Sequence, residues 1–163
     1  MSIDNFDPLD ENHLRHVFGH FATGVTVITC RSKEGDLGGI TVNSFTSLSL
    51  NPPLALWCID KASDQFDIFA ASTHFAVNIL SESQEKLSNN FAAQTHDKFK
   101  GVDYENGVGG APILPDVSAT LECHIKERIE GGDHIILVGG VLKANSYNHK
   151  PLIYYNGSYA KLD

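Results

Sequence analysis

Seven consecutive residues, Thr41, Val42, Asn43, Ser44, Phe45, Thr46 and Ser47, carry four hydroxyls and one carboxamide between apolar flanks. Short polar side chains offer donors and acceptors while losing little freedom on ordering. Such a lining suits a flat heteroaromatic ring with polar edges, a flavin for instance. A half-buried edge strand with a polar outer face has the same pattern, so both readings stand. A second segment, Gly131-Gly132-Asp133-His134, lies between two long β-rich runs. Its glycines permit positive φ, its aspartate can brace the turn, and the histidine stands at a strand mouth where it can meet a ligand. A plain glycine hairpin that happens to be followed by histidine reads the same way. A third segment, Cys58-Ile59-Asp60-Lys61-Ala62-Ser63, leaves an apolar strand for a helix start. Unpaired backbone N–H groups at such a place suit phosphate, with Lys61 adding a cation and Ser63 a hydroxyl. An ordinary capped loop is the competing reading.

His13, His16 and His20 follow one another at i, i+3 and i+7, a spacing that brings them on or near one helix face as a possible ligand set. No cysteine or carboxylate is placed beside them, and no metal is expected. Cys30, Cys58 and Cys123 are widely spaced, which excludes a Cys-x-x-Cys zinc or dithiol motif; their odd number suits a reducing cytoplasm. Gly107-Val108-Gly109-Gly110 has the wrong spacing for a dinucleotide-binding fingerprint and follows no strand.

These segments need a frame. Asp10 is a plausible cap for a helix reaching residue 21, with Leu14, Val17, Phe18 and Phe21 at helical spacing. Strand-like stretches follow at 25–30, 40–50, 54–59 and 74–80, with a turn over 31–39 and a stop at Asn51-Pro52-Pro53. Short helices are expected after Ser63 and over 83–93, and a long irregular excursion over 97–115. Two long strands, 119–130 and 134–144, precede a last hairpin around Asn156-Gly157. Strands and helices do not alternate regularly, which argues against a parallel doubly wound sheet and for an antiparallel barrel with helices around it.

The 163 residues suit one domain. Twelve Lys plus Arg against twenty Asp plus Glu give a net charge of -8, the wrong sign for nucleic acid or an anionic membrane surface. The opening residues are acidic and lack an apolar run, so no secretory signal is expected, and no stretch is long enough to span a membrane.

Taken in order, residues 21–29, 40–49 with Pro52-Pro53, 75–80, 84–92, Phe99-x-Gly101-Val102, Gly132-Asp133-His134 and Pro151-Leu152-Ile153-Tyr154-Tyr155 resemble the flavin reductase-like family. The resemblance runs from about residue 18 to 162. It implies a mainly β fold with flanking helices, a six-stranded antiparallel split β-barrel that binds FMN (or FAD), working as a homodimer. It implies an NADH- or NADPH-dependent flavin reductase that supplies reduced flavin to a partner monooxygenase. Alternatives on the same fold are an FMN-holding enzyme that reduces its own acceptor, a ferric chelate or an organic molecule, and a non-catalytic flavin- or haem-binding module. By resemblance, Thr41 to Ser47 hold the flavin ring, while Cys58, Ile59, Asp60, Lys61 and Ser63 line the ribityl chain and phosphate, with Lys98 a further phosphate candidate. Gly132 and Asp133 belong to the pyridine-nucleotide motif and His134 lies by the nicotinamide, with Tyr155 near the pocket. Trp57 departs from the smaller aliphatic usual at its position; facing the pocket, it would alter which flavin fits.

Overall fold

The computed structural model describes residues 10–95 and 97–162; the acidic opening residues 1–7 lie outside them. Asp10 caps the first helix, α1 (Glu11–Gly19), its carboxylate accepting from the backbone N–H groups of Asn12 and His13. There follow β1 (Thr23–Gly24), β2 (Thr26–Arg31), β3 (Leu37–Val42), β4 (Thr46–Leu50), β5 (Pro53–Asp60), α2 (Phe66–Ala70), β6 (His74–Ile79) and α3 (Glu85–Ala92). The excursion holds the short ribbon β7 (Glu105–Asn106) and β8 (Pro112–Ile113) around a 3-10 turn. Then come β9 (Ala119–Gly131), β10 (His134–Ser146), β11 (Ile153–Tyr155) and β12 (Ser158–Ala160).

Seven strands form one antiparallel sheet in the order β3-β2-β6-β9-β10-β5-β4, one strand more than the six expected. Its two edges, β3 and β4, are neighbours in sequence, joined only by Asn43, Ser44 and Phe45. The sheet therefore curls back toward itself, which is the split-barrel form. A three-stranded sheet, β1-β11-β12, lies beside it, its hairpin turned by Asn156 and Gly157, both at positive φ.

Strand β2 is buried on both faces, and its two threonines are accommodated there by donating to the Val42 and Pro112 carbonyls. Ile28 and Cys30 face one core with Trp57, Phe69, Phe75 and Leu137. Val25 and Val27 face another with Leu80, Phe91, Leu114 and Leu152. Trp57 is fully buried between the rings of Phe69 and Phe75, so it fills the core and does not reach a ligand. Each such aromatic contributes roughly 1.5–3 kcal/mol by burial, although the Trp57 indole N–H meets no acceptor among the described residues.

Two expectations shift. The turn expected over 31–39 ends earlier, because Gly38 and Gly39 lie inside β3. A Cβ on Gly39 would stand 2.5 Å from the Phe91 ring, so glycine here lets α3 pack against the sheet. The helix expected to reach residue 21 stops at Gly19, whose carbonyl accepts from Asn156 N–H at 2.8 Å. Its apolar stripe is real but uncovered: α1 buries no residue, and Phe18 and Phe21 are 69% and 79% exposed.

The excursion is fastened by buried polar side chains. Asn78 donates to the Val27 carbonyl and the Thr29 hydroxyl, and its own carbonyl accepts from Leu114 N–H at 2.8 Å. Glu122, also buried, accepts from Val108 N–H and pairs with Lys143 at 3.2 Å. Replacing Asn78 by Ala would strand several buried groups, and a loss of about 2–4 kcal/mol is expected in urea unfolding.

Candidate functional site

The sequence segments singled out above converge on the outward face of β5 and β10. Along β5, Ala55, Trp57 and Ile59 point into the core, so Leu56, Cys58 and Asp60 point out. Opposite residues of paired strands share a face: His134 lies across from Asp60 and Ile136 across from Cys58. The three-residue link between the sheet edges folds onto the same face. Ser44 donates its hydroxyl to the Cys58 carbonyl (3.1 Å) and accepts from Cys58 N–H (3.0 Å). Ser44, Cys58, Ile136, Asp60 and His134 thus form one continuous surface, with an apolar middle and polar ends.

The hairpin at its far end is tightly built. Gly132 takes φ 73° and Asp133 does not, the sign pattern of a two-residue II′ loop. Asp133 Oδ1 lies 2.8 Å from His134 Nδ1. The hydrogen bond from His134 holds the Asp133 carboxyl below its usual range, with the charge of Lys61 adding to it. An ionised carboxylate only accepts, so the proton sits on Nδ1 and Nε2 is turned to the outside. Lys61 reaches this hairpin as well: its N–H donates to the Asp133 carbonyl (2.9 Å) and its ammonium to the Gly132 carbonyl (2.8 Å) and the Glu130 carboxylate.

Ser63 follows in a turn closed by its N–H on the Asp60 carbonyl. It does not cap α2 directly, since Gln65 is the N-cap; its hydroxyl instead accepts from Gln65 N–H at 3.2 Å. Lys98 is buried beside this turn, 3.6 Å from Asp64 and 3.1 Å from the Phe91 carbonyl. Burial pulls its ammonium below the usual lysine range, and Asp64 offsets part of that. A cavity of about 360 Å³ opens here between Gln65, Lys98, Phe99 and the β2–β3 turn. A larger one, about 430 Å³, lies between residues 103–105, 113–117, Tyr147 and His149 and touches none of the predicted segments.

Other predicted residues stand apart. Thr41 donates to the Ser88 carbonyl (2.7 Å), binding β3 to α3. The Ile59 side chain is in the core, leaving only its main chain for a ligand. Asn43, Thr46 and Ser47 are exposed on the link and edge strand, with Val42 and Phe45 half-buried beside them. Tyr155 lies against α1, its hydroxyl 3.4 Å from His20 Nδ1. His20 in turn meets His16, with Nε2 atoms 3.4 Å apart. Among the described residues no three His, Cys, Asp or Glu side chains gather as a metal site. Sequence reasoning missed Glu130, Gln65 and Ser88. Gln65 alone left a signal, a polar residue just ahead of an apolar helix.

An antiparallel split barrel with hydroxyls at its seam and an Asp-His hairpin beside it is the architecture of a class, the flavin reductase-like split barrels. The profile described as "Flavin reductase like domain" matches residues 18–163, and the chain belongs to that family. It is 43% identical over 159 residues, 98% of its length, to a "Probable flavin reductase" of Rhizobium meliloti, and spans half the length of that protein. It is 40% identical to the "FMN reductase (NADH) SmoA" of Agrobacterium fabrum, with 96% of this chain and 90% of that one covered. Among solved structures it superposes on the Streptomyces globisporus NADH:FAD oxidoreductase SgcE6 in complex with NAD and FAD fragments. The TM-score is 0.91 at 40% identity, over 96% of this chain and 95% of that one.

Of the three thiols, Cys30 and Cys123 are buried, and burial pushes both up to about 12. Cys58 is half-buried, and burial raises it too. A thiol reagent is expected to titrate one slow thiol in the folded protein and three after unfolding. Replacing Cys58 by Ser should remove the first.

Proposed function

We propose that the chain is an NAD(P)H-dependent flavin reductase, which binds FMN or FAD at the seam between the sheet's free edges and passes reduced flavin to a partner monooxygenase. One observation carries this reading: Ser44 on Cys58, and His134 across from Asp60, share one face of one strand. Residues two apart on a strand are separated by about 7 Å, so a flavin seated over Cys58 lies within reach of a nicotinamide held by His134. A bound flavin supplies the hydride acceptor, and the protein supplies binding and alignment. The donor set fits it. Strands β3 and β4 each have one hydrogen-bonded neighbour, so their outer backbone groups, with the hydroxyls of Thr46 and Ser47 and the amide of Asn43, are available to the ring's polar edge. Cys58 and Ile136 offer the apolar floor. Ser63 and the polar cavity beside Lys98 take the phosphate end. His134, fixed through Nδ1, presents Nε2 to the carboxamide of the nicotinamide.

The relatives support the direction of transfer: their printed names include "FMN reductase (NADH)" and "NADH-dependent FAD reductase". The Acinetobacter baylyi relative is the reductase component of a flavin-dependent trigonelline monooxygenase, which supports an oxygenase as the consumer of reduced flavin. The three unpaired cysteines support a reducing, cytoplasmic setting. No helix among the described residues is long and apolar enough to cross a membrane.

Free FMN or FAD should be turned over catalytically by NADH or NADPH. Reduction of a single bound equivalent without release would instead mark a fixed prosthetic group. His134→Ala should raise KM for the nucleotide about tenfold while the FMN Kd moves less than about twofold; unchanged steady-state kinetics would remove His134 from the donor site. The uncovered apolar stripe of α1, with Leu48 and Leu50 exposed on the β4 edge, supports a homodimer. Light scattering should give twice the chain mass, and paired Phe18→Asp and Phe21→Asp substitutions should give the monomer.

A further inference from the structure

We propose that Lys61 is a positioning residue for the nicotinamide donor: it clips the 132–133 loop to the end of β5 and so fixes the imidazole of His134, and it does not bind the flavin phosphate. The inference rests on the placement of His134 at the nicotinamide.

On its β9 side the β9–β10 hairpin runs past β6, whose pairing ends at His74 and His124, while β10 stays paired with β5 as far as Asp60 and His134. Residues 126–133 are all exposed, and open space surrounds the position where a Cβ on Gly132 would stand. Beyond that last pair the tip of the ribbon, Gly132 and Asp133, has no strand beside it to hold it. Lys61 supplies the hold from outside the ribbon. Its N–H bonds the Asp133 carbonyl, carrying the β5–β10 pairing one residue past its last register pair, Asp60 with His134. Its ammonium then spans the loop, bonding the Gly132 carbonyl on one side and the Glu130 carboxylate on the other. One residue thereby grips the strand before the loop and both residues of the loop itself. The residue immediately following is His134.

Charge argues against a phosphate at the same ammonium. Glu130 neutralises Lys61 directly, and Asp60 and Asp133 flank the pair in sequence and in register. One cation among three carboxylates makes a locally anionic surface, which repels a phosphate dianion. Two of the three ammonium protons are also already engaged.

An exposed ion pair contributes little to stability, so the consequence is geometric. Freed from Lys61, the loop carries the imidazole through a wider range of positions, and fewer encounters with the nucleotide are aligned.

The test compares Lys61→Met, Lys61→Arg and Glu130→Gln with His134→Ala in the full chain. It reads KM for NADH, kcat, the Kd of FMN and of riboflavin, and the melting temperature. Lys61→Met should raise KM for NADH about five- to tenfold, with kcat, both flavin affinities and the melting temperature nearly unchanged. Arginine should restore KM to within about threefold, since it keeps the charge and the donors. Glu130→Gln should move KM in the same direction by less. In the double variant with His134→Ala, the Lys61 substitution should add nothing, because no imidazole remains to be placed. Loss of the preference for FMN over riboflavin with KM for NADH unchanged would make Lys61 a phosphate ligand and overturn the proposal. So would effects of Lys61→Met and His134→Ala that multiply. If His134→Ala itself leaves KM unchanged, the donor site falls and the clip with it; if it raises KM and Lys61→Met does not, the clip alone falls.

Discussion

Three residues join the two edges of the sheet, and that short link governs the rest of the molecule. Laid flat, seven strands at about 4.8 Å spacing would put β3 and β4 roughly 29 Å apart. Four Cα steps of 3.8 Å, from Val42 to Thr46, reach about 15 Å at most. The sheet must therefore curl until its edges nearly meet. Strand twist makes curling easy, but the link makes it obligatory. The Ser44 hydroxyl then ties the seam to β5 by bonding both backbone groups of Cys58. Among the described residues the edges do not hydrogen-bond to each other, so a seam is left whose outer backbone groups have no strand partner, with the Gly39 N–H taken by the Gln65 side chain. Exposed edges of this kind are ordinarily a hazard for association; under the proposed function they would supply the polar rim of the flavin site.

Curling also divides the labour of each strand. Alternation along β5 sends Ala55, Trp57 and Ile59 to the core and Cys58 and Asp60 to the site. On β10, Ile135 and Leu137 face in while His134 and Ile136 face out. The rigidity of the site is thus the rigidity of the core one side chain away. Trp57, wedged between Phe69 and Phe75, holds the strand whose other face carries Cys58. A large aromatic there has a packing reason and needs no role at the ligand.

How much of this was legible in the sequence depended on the range of the interaction. Local signals were accurate: the Asp10 cap, the Asn156-Gly157 turn, and the two long strands meeting at Gly132 and Asp133. Residues 40–50 read as one polar-apolar stretch, because nothing local reveals that they are two edge strands from opposite sides of a sheet. Glycines 38 and 39 read as a turn, although Phe91, some fifty positions on, requires glycine at 39, while Cys30 and Ile68 crowd position 38. The stripe on α1 was correctly periodic, yet periodicity cannot tell which surface covers it. Ser44 and His134 were singled out by residue type and neighbourhood, and the fold brings both beside β5. Glu130 was not, since its meaning comes from Lys61, 69 positions away. Likewise a lysine ahead of a helix reads locally as a phosphate cation, and the partners of Lys61, Glu130 and the Gly132 carbonyl, lie about seventy positions away.

Those partners bear on how a nicotinamide dinucleotide would lie. Asp60, Glu130 and Asp133 against Lys61 make the hairpin end of the site anionic. A dinucleotide carries a cationic ring in its oxidised form and two negative phosphates. Near this hairpin an oxidised ring would be favoured and phosphates would not, so a dinucleotide bound there would turn its nicotinamide toward His134 and its pyrophosphate outward. The preference grows after hydride transfer, when the ring gains its positive charge. Electrostatics of this sign would orient such a donor without a dedicated phosphate loop or glycine fingerprint. Under the proposed reading little acid–base equipment is needed, because hydride transfer requires two rings held in register.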